Sequence, residues 1–96
     1  MPKTRVSYLS WQMEELADPK IAEGYLNACL EEGPDLFLTG LKKVAQARQM
    51  TKVAKEAGVQ RETLYRSLSE NGNPTLETLA SVLHALGMEL RVAARQ

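Results

Sequence analysis

The sequence predicts an all-α domain of about six helices that ends in one short strand. Three observations carry this reading. Apolar residues recur three and four apart along most of the 96 residues, the period of one helix face. Asp18-Pro19, Gly33-Pro34, Gly58-Val59 and Asn73-Pro74-Thr75 punctuate that pattern with helix starts and stops. Met88-Glu89-Leu90-Arg91-Val92-Ala93, in contrast, alternates apolar and charged residues as a half-buried strand does. The length suits one domain with a single small core.

Residues 1–9 hold Pro2, Arg5, Val6, Tyr8 and Leu9 without a clear period, and suit an arm or a short extended piece. Ser10 is placed to cap a short helix over Trp11–Ala17. Trp11, the single tryptophan, can pack back on the domain or anchor a partner, since Trp and Tyr are enriched at binding hot spots. Asp18 as N-cap and Pro19 at the first helical position start a helix that runs to about Glu32. Ile21, Tyr25, Ala28 and Cys29 form its apolar stripe, widened by Ala22, Leu26 and Leu30. Gly33-Pro34 ends it. The next helix carries Asp35 in its first turn, runs to about Arg48, and turns Leu38, Leu41, Val44 and Ala45 inward. Lys42, Lys43 and Arg48 lie in its later part, where positive charge suits the helix dipole and nearby phosphates.

Met50 to Leu68 reads as two short helices joined by a tight turn. Thr51 is a candidate N-cap, and Val53, Ala54 and Ala57 form a small apolar side that another helix can approach closely. Gly58 can take the left-handed conformation that ends a helix, and Val59 plugs the corner. In the second helix Leu64 and Leu68 face inward, one turn apart. Outward, Arg61 and Tyr65 are four apart, as are Glu62 and Arg66. With Gln60 at the start they form one polar stripe at the helix N-terminus. A helix laid in the DNA major groove reaches base edges from that region. Arg can grip guanine bidentately, Gln adenine, and Glu can accept from cytosine. The plain alternative is a solvated face with a weak Glu62–Arg66 ion pair.

Ser69-Glu70-Asn71-Gly72-Asn73-Pro74 is a loop by every local signal. Thr75 or Asn73 caps the last helix, whose face is Leu76, Leu79, Ala80, Leu83 and Leu86, and Gly87 stops it. The alternating end has no strand to pair with in its own chain. Pairing of Met88, Leu90 and Val92 with the same segment of a second copy would give a twofold dimer; a frayed tail is the alternative.

Net charge is zero, but its distribution is uneven. Residues 1–40 carry three Lys/Arg against seven Asp/Glu, a charge of −4; residues 41–70 carry seven against three, +4. The basic segment contains the proposed reading helix, so a local basic surface can hold phosphates despite the neutral total. The acidic part suits a basic protein partner or an ordinary solvated face. No apolar run approaches membrane-spanning length, no signal-peptide pattern opens the chain, and a single cysteine, Cys29, cannot form an intrachain disulfide; these points suit a cytoplasmic protein.

Enzyme chemistry is not expected, nor a cofactor or metal. The single histidine, His84, reads as a helix-surface residue without a second oriented group. Glu14-Glu15 and Glu31-Glu32 are adjacent, so each pair points its carboxylates apart on a helix. One Cys and one His cannot build a structural zinc site, and the isolated glycines form no phosphate loop.

Residues 35–87 resemble the Cro/C1-type (XRE-like) helix-turn-helix domain of phage repressors. Gly58-Val59, Asn71-Gly72-Asn73-Pro74 and the leucines up to Leu86-Gly87 carry the likeness. Nearly the whole chain resembles the HigA-like antidotes of bacterial type II toxin–antitoxin modules. Here the residues are Asp18-Pro19, Tyr25-Leu26-Asn27-Ala28, Leu30-Glu31-Glu32-Gly33, Ala45-Gln46-Ala47-Arg48, Met50-Thr51, Glu56-Ala57-Gly58-Val59 and Glu62-Thr63-Leu64-Tyr65-Arg66-Ser67-Leu68-Ser69. The resemblance implies a lambda-repressor-like fold over residues 35–96 behind a helical extension, 1–34, the two forming one unit. It also implies an antitoxin that neutralises a RelE/ParE/HigB-like toxin and represses its own operon by binding double-stranded DNA.

On that reading Gln60, Arg61, Glu62, Tyr65 and Arg66 contact bases, and Lys42, Lys43, Lys52, Lys55 and Ser69 contact phosphates. Tyr8 and Trp11 are candidates for toxin capture. Three departures stand out: the helix before the corner is shorter than in phage repressors, Gln49 stands where Gly is expected, and Val6–Trp11 matches no part of the group. A protein-interaction module with little DNA affinity is the alternative, kept by the neutral charge and by Glu62; a phage-type regulator without a toxin is another.

Overall fold

A computed structural model describes residues 13–95. After a helical turn at 13–16 come five helices: α1 (Pro19–Glu32), α2 (Pro34–Ala47), α3 (Met50–Ala57), α4 (Arg61–Ser67) and α5 (Leu76–Ala85). The architecture is all-α, and no strand forms among the described residues. α1 packs on α2, α2 on α3, and α3 on both α4 and α5. The core between them is aliphatic, with Leu41, Val44, Val53, Leu64, Leu68, Val82 and Leu86 fully buried. None of the described helices is long and apolar enough to cross a membrane.

The starts of α1 and α2 follow the expected chemistry. Asp18 Oδ1 accepts from the Lys20 N–H at 3.0 Å and Pro19 takes the first helical position. Gly33 (φ 141°) separates the two helices and Pro34 opens α2. The inward face of α1 is turned relative to the expected stripe. Ala22, Leu26 and Cys29 are buried and Tyr25 is half-buried, whereas Ile21, Ala28 and Leu30 are exposed. Gly40 of α2 explains the turn. A Cβ there would stand 2.9 Å from Cys29 Sγ and 3.2 Å from Tyr25 Cε2, so the two backbones close up along the Tyr25–Cys29 line. Burial, and then the neighbouring Cys29 thiol, push the Tyr25 phenol above its usual value.

α3 begins two residues earlier than a Thr51 cap would place it. Met50 is buried with Val53 and Ala54, and that inward contact draws the helix start forward. Thr51 therefore lies within the first turn and is not the cap; Gln49 is, at φ 71°, with no side-chain cap bond. The corner forms as expected. Gly58 is left-handed (φ 76°, ψ 28°), its N–H donates to the Lys55 carbonyl at 3.2 Å, and the Val59 N–H donates to the Ala54 carbonyl at 3.0 Å. These two bonds satisfy carbonyls left open at the helix end.

Thr75 caps α5, its Oγ1 accepting from the Thr78 N–H at 3.0 Å, so the choice between Thr75 and Asn73 falls to Thr75. The helical period of α5 extends beyond the core. Leu76 and Ala80 are exposed, Leu79 is half-buried, and only Val82, Leu83 and Leu86 are buried. At the other end the Met88 N–H donates to the Leu83 carbonyl at 2.8 Å and the Met88 side chain packs on the core. Residues 89–95 are exposed and do not form the expected strand; among the described residues no second strand is present to complete a ladder. The exposed Glu89–Arg91 pair at 2.7 Å adds little stability. Arg48 sits at the C-terminal end of α2, as expected, and its Nη1 donates to the Ala17 carbonyl at 3.4 Å, tying α2 to the segment before α1.

Candidate nucleic-acid interface

α4 has seven residues, too few to stand as a helix by itself. Leu64 and the following Leu68, both with no exposed surface, hold it on the core. Their burial decides which way the rest of the helix points. Gln60, Arg61, Glu62, Tyr65 and Arg66 are all exposed. Gln60 is the N-cap in extended conformation and its side chain makes no cap bond, which leaves its amide available outward. Among the described residues the ion pair is Glu89–Arg91, not the Glu62–Arg66 pair of the plain reading. All five expected base contacts are thus exposed, four of them, Arg61, Glu62, Tyr65 and Arg66, along one groove.

A groove of about 870 Å³ runs along this face, with Arg61, Glu62, Tyr65 and Arg66 on one side. Asn71 and Asn73 of the following loop line the other. Sequence reasoning identified the loop but gave these two asparagines no role at the face. Two Asn beside a Gly one turn after a polar stripe are the signal that was available. The loop is folded tightly back on α4: the Gly72 N–H donates to the Ser69 carbonyl at 2.7 Å, and a Cβ on Gly72 would overlap the Ser67 carbonyl. Asn71 takes φ 69°, a conformation Asn tolerates better than most residues.

Two of the five expected phosphate contacts meet the stripe. Lys42, from α2, donates from Nζ to Ser69 Oγ at 3.3 Å and lies 4.5 Å from the centre of the Tyr65 ring. Ser69 Oγ in turn donates to the Tyr65 carbonyl at 2.6 Å. Lys43 is half-buried on α2, and Lys52 and Lys55 are exposed on α3. Tyr8 and Trp11 lie outside the described residues. Of the expected dimer residues, Met88 is half-buried, and Leu90 and Val92 are exposed. His84 is exposed, and no group of side chains that could hold a metal ion occurs among the described residues. The arrangement offers hydrogen-bond donors, two carboxylate acceptors in Glu62 and Glu70, and an aromatic ring along the groove, with the Lys42 ammonium against that ring. Donors and acceptors of these kinds can pair with base edges or phosphate oxygens.

A family model described as "Probable addiction module antidote protein" matches residues 8–94. An uncharacterized protein of Haemophilus influenzae is 40% identical over 80 residues, which cover 82% of each of the two chains. No solved structure matches.

Proposed function

Because the chain belongs to the probable addiction module antidote family, we propose that it is the antitoxin of a type II toxin–antitoxin module that also represses its own operon. Membership of an antidote family implies a toxin partner. A HigA-like antidote neutralises a toxin of the RelE/ParE/HigB-like fold by binding it in the cytoplasm. α3, the Gly58 corner and α4 act as a Cro/C1-type helix-turn-helix within residues 35–96, with residues 1–34 as an extension that includes the candidate toxin contacts Tyr8 and Trp11. The observation that carries the DNA-binding half is the free outward face of α4. Gln60, Arg61, Glu62, Tyr65 and Arg66 are exposed together, unpaired with one another, on a helix anchored by Leu64 and Leu68. In this reading Lys42, Lys43, Lys52, Lys55 and Ser69 flank the face toward phosphates. A second copy, paired along Met88, Leu90 and Val92, supplies a second α4 for the other half-site, as dimeric helix-turn-helix proteins require.

The test is a gel shift on the DNA upstream of the protein's own gene, with a scrambled duplex as competitor. The wild-type protein should shift the cognate duplex, and Arg61→Ala should weaken that complex by about 1–3 kcal/mol while leaving scrambled DNA nearly unaffected. Equal weakening on both duplexes would reassign Arg61 to phosphate. No shift at low salt, where phosphate contacts are strongest, would overturn DNA binding altogether.

A further inference from the structure

Tyr65 is 42% exposed on the α4 face, yet its ring is not left to solvent alone. The Lys42 ammonium reaches it from a different helix, α2, at 4.5 Å from the ring centre. The same ammonium donates to Ser69 Oγ at 3.3 Å, and Ser69 Oγ donates to the Tyr65 carbonyl at 2.6 Å. The three groups therefore close a circuit: ring of Tyr65, ammonium of Lys42, hydroxyl of Ser69, carbonyl of Tyr65. A lysine serving only as a phosphate contact needs none of this. It would be more useful fully extended into solvent, as a mobile point charge.

We propose that Lys42 is a positioning residue for Tyr65, holding the ring in one orientation on the reading face, with Ser69 as the strut that fixes the ammonium. This rests on the DNA-binding reading above and deepens it. An exposed tyrosine that must freeze on binding loses affinity; one already held does not. A cation over an aromatic face at a partly exposed site is worth about two- to fivefold in the population of the held state. Because Lys42 acts through Tyr65, its contribution belongs to sequence discrimination. Its remaining N–H donors are free for a phosphate, which adds a component equal on all sequences.

The experiment has two readouts. The first uses the free protein: the side-chain rotamer populations of Tyr65, from three-bond couplings in NMR, in wild type, Lys42→Met, Lys42→Arg and Ser69→Ala. Lys42→Met keeps the aliphatic stem and removes the charge. It should release Tyr65 to rotamer averaging, Lys42→Arg should retain one dominant rotamer, and Ser69→Ala should lie between. The second readout is a double-mutant cycle of Lys42→Met and Tyr65→Ala on cognate and scrambled duplexes. Lys42→Met should weaken cognate binding about three- to tenfold with Tyr65 present, and clearly less with Tyr65 absent. Unchanged Tyr65 rotamers in Lys42→Met would overturn the proposal. So would an additive cycle with equal loss on both duplexes, which marks a phosphate contact alone. If the wild-type protein shifts no duplex, the functional reading fails, and the rotamer populations alone decide whether Lys42 holds Tyr65.

Discussion

The α1–α2 pair and the α3–α4 pair solve the problem of being helical in opposite ways. α1 and α2 have fourteen residues each, about four turns, and each opens with a proline at its first position. They lie close enough that Gly40 has no room for a side chain beside Cys29. α3 and α4 have eight and seven residues, and neither Gln49 nor Gln60 makes a side-chain cap bond. Helices that short are marginal in water, so burial of Met50, Val53, Ala54, Leu64 and Leu68 must hold them. The difference has a functional logic. A helix that reads a surface must keep its N-terminal side chains outward and uncommitted. α4 keeps Glu62 and Arg66, whose charges suit the helix dipole, makes no side-chain cap bond, and depends on the core behind it. Both pairs bury core residues, Leu41 and Val44 on α2 as much as Val53 on α3, but the shorter pair depends on that burial more.

The largest expected effect tests that dependence directly. Leu64→Ala removes a fully buried anchor of α4 and should cost about 2–5 kcal/mol, a large part of a small domain's stability. Leu30→Ala on α1, where the side chain is 52% exposed, should change stability by no more than about 0.5 kcal/mol. Urea denaturation of both variants checks this. Comparable costs would mean that burial of Leu64 is not what anchors α4.

A middle-sized effect concerns the long pair. Gly40→Ala places a methyl 2.9 Å from Cys29 Sγ, so one helix must give way, at about 1–2 kcal/mol after the gain in helix propensity. Cys29→Ala removes the sulfur it meets. In that background Gly40→Ala should become neutral or stabilising by up to about 1 kcal/mol. The sign change in thermal melts is the signature of a close helix contact. Loss of the same size in both backgrounds would mean that Tyr25, at 3.2 Å, is the true obstacle.

The same contrast explains what could be read from the sequence. Asp18-Pro19, Gly33-Pro34, Gly58-Val59 and Thr75 gave the element boundaries, because caps and corners are decided within a few residues. The outward stripe of α4 was legible for a related reason. Leu64 and Leu68 are the apolar residues available to bury in that helix, so the polar remainder has one direction to face. Facing was illegible where apolar residues surround a helix. On α1, Ile21, Ala22, Tyr25, Leu26, Ala28, Cys29 and Leu30 leave more than one candidate face, and only the approach of Gly40 selects it. Leu76 failed for a different reason: its period continues the α5 face, but period carries no information on where the neighbouring helix ends. The meeting of Lys42 with Tyr65 joins α2 to α4 across 23 positions of sequence, and no local signal encodes it.

The smallest effect lies at the joints. Between α1 and α2 the chain turns through a positive φ at Gly33 (141°); between α2 and α3 it does so at Gln49 (71°). A side chain at positive φ costs about 1–3 kcal/mol, whereas glycine adopts it freely. Gln49→Gly should relieve that strain and give back part of the gain, about 0.4–1 kcal/mol, through the freer unfolded chain. The net expectation is stabilisation by about 0.5–1 kcal/mol, seen as a higher urea midpoint with an unchanged slope. A drop in stability would mean that the Gln49 side chain makes a compensating contact, and the two joints would then differ by design of the side chain and not of the backbone. Cognate DNA binding by the same variant sharpens the point. Strain kept at a functional edge is expected to return something there. If Gln49→Gly is more stable but binds its operator more weakly, Gln49 belongs with the reading residues of the short pair. If binding is unchanged, the strain is a backbone accident at the entry to α3, and the demand for support from the core begins one residue before that helix.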